Sequence, residues 1–213
     1  MKLLIFSSLL GLMVFACHSK NGRLPILGRS QIKNVSFEGG IKADTIFHTI
    51  GDFSFTNQDG DEVTQETFKD KIYIADFFFT TCPTICPIMK TQMLRVYEKY
   101  NDNPDVLILS HTIDPRHDSV TVLHEFAERL GVTADAWHFV TGDQDQIFEI
   151  GQNSYMVTAR EDKDELGGYL HSGAFLLVDK QRRVRGMYDG TKEEKVDLLL
   201  KDIDTLLKEY EVE

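Results

Sequence analysis

The chain has 213 residues, 42% hydrophobic and 27% charged, enough for one well-buried domain, which excludes a disordered or fibrous protein. Its formal charge is -11, and a surface of that sign repels nucleic acid and anionic lipid, so a nucleic-acid-binding role is excluded. No polybasic tract, low-complexity segment or internal repeat argues otherwise.

Taken in order, the chain opens on Lys2 and the apolar run Leu3 to Phe15. A run of about a dozen residues falls short of the roughly 20 that span a bilayer and reads as an export signal. Cys17 after the small Ala16 resembles a bacterial lipobox. Residues 1–16 are therefore expected to be a signal peptide, and Cys17 the acylated first residue of a membrane-anchored lipoprotein facing the periplasm. Removing residues 1–16 takes away one lysine, leaving 22 basic against 34 acidic residues, or -12. Cys82 and Cys86 then remain as the thiols of the mature chain. In an oxidising compartment such a pair is either a disulfide or is kept from becoming one by a metal or a reductant.

Residues 17–44 are polar and rich in glycine, and predict a tether with at most one short hairpin. Residues 45–213 form the domain. Phe53-Ser54-Phe55, the turn Asn57-Gln58-Asp59-Gly60 and Glu62-Val63-Thr64 predict a hairpin at a sheet edge. A strand over 71–79 leads through Thr80-Thr81-Cys82-Pro83-Thr84-Ile85-Cys86-Pro87 into a helix over 88–100. Met89 and Met93 have the helical spacing of core residues.

Val106 to Leu109 predicts a buried strand entering the loop Thr112 to Asp118. Asp118 or Ser119 caps the next helix, which ends at Gly131. A strand over Trp137–Val140 and a helix over Asp143–Asn153 follow. Residues 160–168 are too charged and glycine-ended to pack and predict an exposed loop ahead of His171 and the strand Ala174–Val178. A strand from Val184 and a last helix opened by a Thr191-x-x-Glu194 capping box complete the chain. The pattern is α/β: a mixed central sheet with helices on both faces. A cysteine motif at the first strand-to-helix turn of such a sheet is the thioredoxin-like layout.

Thiols at a helix start sit in the positive end of its dipole, which favours thiolates, the species that bind soft metals and attack disulfides. At i and i+4 on a helical turn, both sulfurs can converge on one ion or close into a disulfide. Two thiolates need a further ligand, and with no second cysteine pair for a structural zinc site, copper is the better match. His171, at the rim of a sheet, is the first candidate imidazole; His111 and His117 flank the Asp114 loop and are weaker ones.

Phe78-Phe79-Thr80-Thr81-Cys82-Pro83-Thr84-Ile85-Cys86-Pro87, Ile113-Asp114-Pro115-Arg116-His117-Asp118, Thr141-Gly142-Asp143 and Leu170-His171-Ser172 together resemble the Sco/SenC family of copper chaperones for cytochrome c oxidase. The resemblance implies a thioredoxin-like domain in which Cys82, Cys86 and His171 bind copper, as Cu(I), Cu(II) or both. It also implies a copper-receiving oxidase subunit as partner. Two positions depart from the family pattern. Leu170 stands where the family often has Asp, leaving Asp114 as the candidate partner of the imidazole, and Phe78 stands where a glycine is common.

The reading is thus a metallochaperone rather than an enzyme, delivering copper to the dinuclear site of a respiratory oxidase. The alternative is a thiol-disulfide reductase, with Cys82 and Cys86 as its redox pair, that keeps the oxidase cysteines reduced. A peroxiredoxin-like peroxidase would need a threonine where Phe79 stands. Loop 160–168 is expected to be mobile without metal and to let His171 swing towards the sulfurs.

Overall fold

The structure, a computed structural model, describes residues 22–37 and 40–211. The expected signal peptide, residues 1–16, and Cys17 lie outside the described residues. Among the described residues no helix is long and apolar enough to cross a membrane.

Two strands, β1 (Ser30–Phe37) and β2 (Gly40–Phe47), pair antiparallel as a ribbon that crosses the expected end of the tether at residue 44. The domain follows with β3 (Ser54–Asn57), β4 (Glu62–Thr64), β5 (Ile72–Phe78), α1 (Cys86–Tyr100) and β6 (Val106–Thr112). Next come α2 (Val120–Leu130), β7 (Trp137–Thr141) and α3 (Gln144–Glu149), which runs on as a wider π turn over Ile150–Ser154. The chain closes with β8 (Ala159–Glu161), β9 (Tyr169–His171), β10 (Ala174–Val178), β11 (Val184–Asp189) and α4 (Glu193–Glu211).

The central sheet has seven strands in the order β11-β10-β5-β6-β7-β3-β4. β5, β6 and β7 are parallel, and the strands outside them are antiparallel. β5 and β6 are buried at every position, which is why they read as unbroken apolar runs rather than as alternation. The alternate residues of β5 still divide between two cores. Phe78 stacks on Phe126 of α2, and Tyr97 of α1 lies against Trp137. On the opposite face Phe77 stacks on His111 and meets Tyr155 beyond α3. Helices therefore cover both faces, as the sequence pattern predicts. Met89 and Met93 are core residues, each 1% exposed.

Two expectations need correction. The Thr191-x-x-Glu194 box does not open α4, which starts at Glu193, and the Thr191 side chain turns to Asp189. Of the two candidate caps of α2 it is Ser119 that serves, accepting from the Val122 amide, and Gly131 ends the helix at φ 70° as expected. Asp118 is fully buried and has another task. Residues 160–168 are no simple loop: their first arm, β8, pairs with β9, and a turn through Gly167 and Gly168, both at positive φ, joins them.

Candidate metal centre

The centre is built where β5 ends and α1 begins. The Cys82 amide donates to the Phe79 carbonyl at 3.2 Å, making a tight turn. Cys86 opens α1 with Pro87 behind it, where a missing N–H leaves no bond unmade. Cys82 thus lies in the turn ahead of the helix, and the sulfurs converge through that turn rather than by helical stacking. Both thiols are buried and unpaired.

His171 ends β9 and is 8% exposed. Its Nε2 lies 3.3 Å from Cys86 Sγ and 3.8 Å from Cys82 Sγ, and the three donor atoms all fall within 4.8 Å of one another. A thiophilic ion about 2.0 Å from an imidazole nitrogen and about 2.3 Å from a thiolate would hold such donors about 3.7 Å apart in a trigonal plane. The donor set fits in size and in chemistry, two soft sulfurs and one imidazole. The imidazole already faces the sulfurs, so the expected swing of His171 is not needed to assemble the set.

The two thiols are unequal. The Cys82 pKa is driven far down, chiefly by a hydrogen bond from Cys86, with His171 and Thr84 adding to it against burial. The Cys86 pKa is driven up by donating that bond, by burial and by the charge of Asp76. The two thiols therefore resist ionising together, where the helix dipole alone would favour two thiolates. Beneath it Asp76, on β5, is 5% exposed, and burial pushes its pKa up to about 6 against a hydrogen bond from Ser110. Ser110 is in turn fixed by the Trp137 indole at 2.9 Å.

Two carboxylates of the loop after β6 hold the rest. The buried Asp118 accepts from the Thr80 amide at 3.0 Å, from the Thr80 hydroxyl, and from the Thr112 hydroxyl at 2.5 Å, which ties the cysteine turn to that loop. Asp114 accepts from the Tyr169 hydroxyl at 2.9 Å. The expectation that Asp114 partners the His171 imidazole is therefore corrected: the other ring nitrogen, Nδ1, faces the Ser172 carbonyl at 3.3 Å. Asp114 acts on the strand, two residues from the imidazole. Arg116, from the same loop, pairs with Glu161 at 3.0 Å, and Glu161 is the register partner of Tyr169. One loop thus grips both strands of the β8–β9 pair at the same level.

Neither of the weaker histidines joins the donor set. His111 is fully buried among aromatic rings, and neither ring nitrogen has a hydrogen-bond partner. His117 is exposed and bonds Asp118 at 2.9 Å. Sequence reasoning passed over Asp76, Asp118 and Tyr169. A lone aspartate inside an apolar strand, Ala75-Asp76-Phe77, was the one available signal.

The sequence profile described as SCO1/SenC matches residues 42–208. A Bacillus subtilis protein described as "SCO1 protein homolog" is 33% identical over 162 residues, 75% of this chain and 83% of that one. A SCO1/SenC family lipoprotein from Bacillus anthracis superposes with a TM-score of 0.68 at 28% identity, over 75% of this chain and 95% of its own. BsSco, described as a member of the Sco family of cytochrome c oxidase assembly proteins with a disulfide switch, gives 0.66 at 32% identity, over 75% and 93%. Arabidopsis thaliana ScoI, solved with copper bound, gives 0.62 at 27% identity, over 75% and 98%. With more than half of its length matched by the family profile and its cysteines and histidine brought to one point of a thioredoxin-like sheet, the chain belongs to the SCO1/SenC family.

Proposed function

We propose that this chain is a copper chaperone that delivers copper to the dinuclear copper site of a respiratory cytochrome oxidase, from an exported, lipid-anchored position facing the periplasm. The observation that carries the reading is the approach of one imidazole nitrogen to two sulfurs, at 3.3 and 3.8 Å. Copper is cargo here. Cys82 and Cys86 supply the soft donors, and His171 supplies the third. Its protein-only fixings, the Ser172 carbonyl and the strand gripped by Asp114 and Arg116, set the direction of the ring. Both sulfurs bind as thiolates, so any thiol proton must leave on loading and uptake is favoured by rising pH.

The anaerobic copper-loaded chain, mixed with a metal-free oxidase copper-binding domain, is expected to generate the absorption of the dinuclear centre as its own copper signal falls. His171→Ala is expected to transfer much less. Equal transfer by His171→Ala and the native chain overturns the reading.

A second reading, a thiol reductase for the oxidase cysteines, is favoured by the inequality of the two thiols. The Cys82 thiolate would attack a substrate disulfide and expel one substrate thiol. Cys86, giving up its proton, would then displace the other, leaving a Cys82–Cys86 disulfide and a reduced dithiol. His171 ranks behind Cys86 in favouring the Cys82 thiolate, so exchange with a model disulfide that is largely retained in His171→Ala, together with lost copper transfer, assigns the two activities to separable groups.

A further inference from the structure

The β1–β2 ribbon stands apart from the domain. Its strands make their contacts chiefly with each other, and a two-stranded ribbon alone in water is marginal. Its register leaves one face without charge. Ser30 pairs with Phe47, Ile32 with Thr45, Asn34 with Ala43 and Ser36 with Ile41, so these eight share one face. None of the eight is charged. The other face pairs Lys33 with Asp44 and also carries Val35 and Ile46, 45% and 44% exposed, so what sets the two faces apart is the charge and the greater exposure of Ile32 and Ile41. On the uncharged face Ile32 is 77% exposed, Ile41 72% and Phe47 40%.

The ribbon is rooted at one end of the molecule. The Leu27 amide donates to the Val184 carbonyl at 2.7 Å and the Ile50 amide to the Arg182 carbonyl at 2.8 Å. Val184 pairs with Val178, and Val178 with Tyr73 at the start of β5. β5 runs from there towards the cysteine turn. The root and the sulfurs are therefore at opposite ends of the sheet.

We propose that the uncharged face of this ribbon, led by Ile32, Ile41 and Phe47, lies in the interface of a zwitterionic lipid bilayer and turns the cysteine end of the domain away from the membrane. The occupant is argued from chain length and charge. Twelve residues separate Cys17 from Ser30, a reach of at most about 40 Å, so a lipid on Cys17 keeps the ribbon beside the bilayer. The rest of a surface carrying -12 would have to strip water from charged groups to touch lipid, whereas this face would not. The inference rests on the lipid reading of Cys17 only for how the chain reaches the membrane.

The test uses the full chain with Ile32→Trp on phosphatidylcholine vesicles whose acyl chains carry bromine. The native Trp137 is 1% exposed in the core and gives a background that bromine does not reach. The new indole is expected to be quenched, and that of Lys33→Trp, on the other face, to be quenched several-fold less. Ile32→Asp and Ile41→Asp are each expected to weaken vesicle partition about tenfold.

Flotation and the mass of residue 17 separate the two readings. A chain that carries lipid, floats with vesicles and shows no quenching of Ile32→Trp overturns the proposal and leaves the lipid reading intact. Quenching in a chain without lipid on Cys17 supports the proposal and overturns the lipid reading. A concentration-dependent dimer that Ile32→Asp abolishes, with no quenching, overturns it in favour of a second copy on that face.

Discussion

At the scale of single residues, the centre depends on groups that touch no sulfur. Tyr169 holds β9 to Asp114, and removing that bond leaves the Arg116–Glu161 pair as the loop's remaining side-chain hold on the two strands. Tyr169→Phe keeps the ring against Phe79 and deletes only the hydroxyl. We expect it to lower copper affinity about tenfold, with a changed nitrogen hyperfine coupling in the Cu(II) spectrum; a variant indistinguishable from the native chain in both would show that the grip is idle.

His111 gives a separate prediction about pH. Burial pushes its pKa from 6.5 down to about 3. Between those values the unfolded chain binds a proton that the folded chain does not, so this contribution is present in full above about pH 6.5 and is lost as pH falls towards 3. The loss reaches a few kcal/mol, at about 1.4 per unit. Urea midpoints at pH 7 and 4.5 should fall steeply in the native chain and less in His111→Phe. An equal fall in both would place the acid sensitivity elsewhere.

At the scale of elements, the long periodic segments were legible: β5, β6, α1, α2 and α4 stand where apolar spacing places them, because burial on two faces or one stripe writes itself into the sequence. The β8–β9 pair was not. Arg160, Glu161 and the glycines look like solvent-facing loop, yet Arg160 and Glu161 pair with β9, and the pair is fastened by the distant partners Arg116 and Asp114. For the same reason the cysteines and His171 were legible as ligand types, whereas the partner of the imidazole was not. The turn itself is testable. Gly167 has φ 95°, and a Cβ there would sit 3.0 Å from the Phe79 ring. Gly167→Val should displace the turn, speed amide exchange at Tyr169 to His171 and weaken copper binding; unchanged exchange would mean that the strand does not depend on this close approach.

At the scale of the whole molecule, one buried ion cluster joins the segments far from the centre. Arg185, 4% exposed, donates to Asp179 at 3.0 Å, to Glu209 of α4 at 2.7 Å and to the carbonyls of Leu24 and Pro25. It thereby links the entry of the chain, β11 and the last helix. Arg185→Met leaves Asp179 and Glu209 without that charge, and we expect a loss of about 3–5 kcal/mol in urea unfolding with copper stoichiometry unchanged. A loss below about 1 kcal/mol would show that the cluster is peripheral to stability.

The central claim is that one chain gathers two sulfurs and one imidazole on one copper. Anaerobic titration of the native chain with Cu(I), followed by X-ray absorption at the copper edge, addresses it directly. We expect one tightly bound copper per chain with two sulfur neighbours and one nitrogen, and loss of the nitrogen in His171→Ala. A native site with no nitrogen neighbour, or a His171→Ala site identical to the native one, would contradict it.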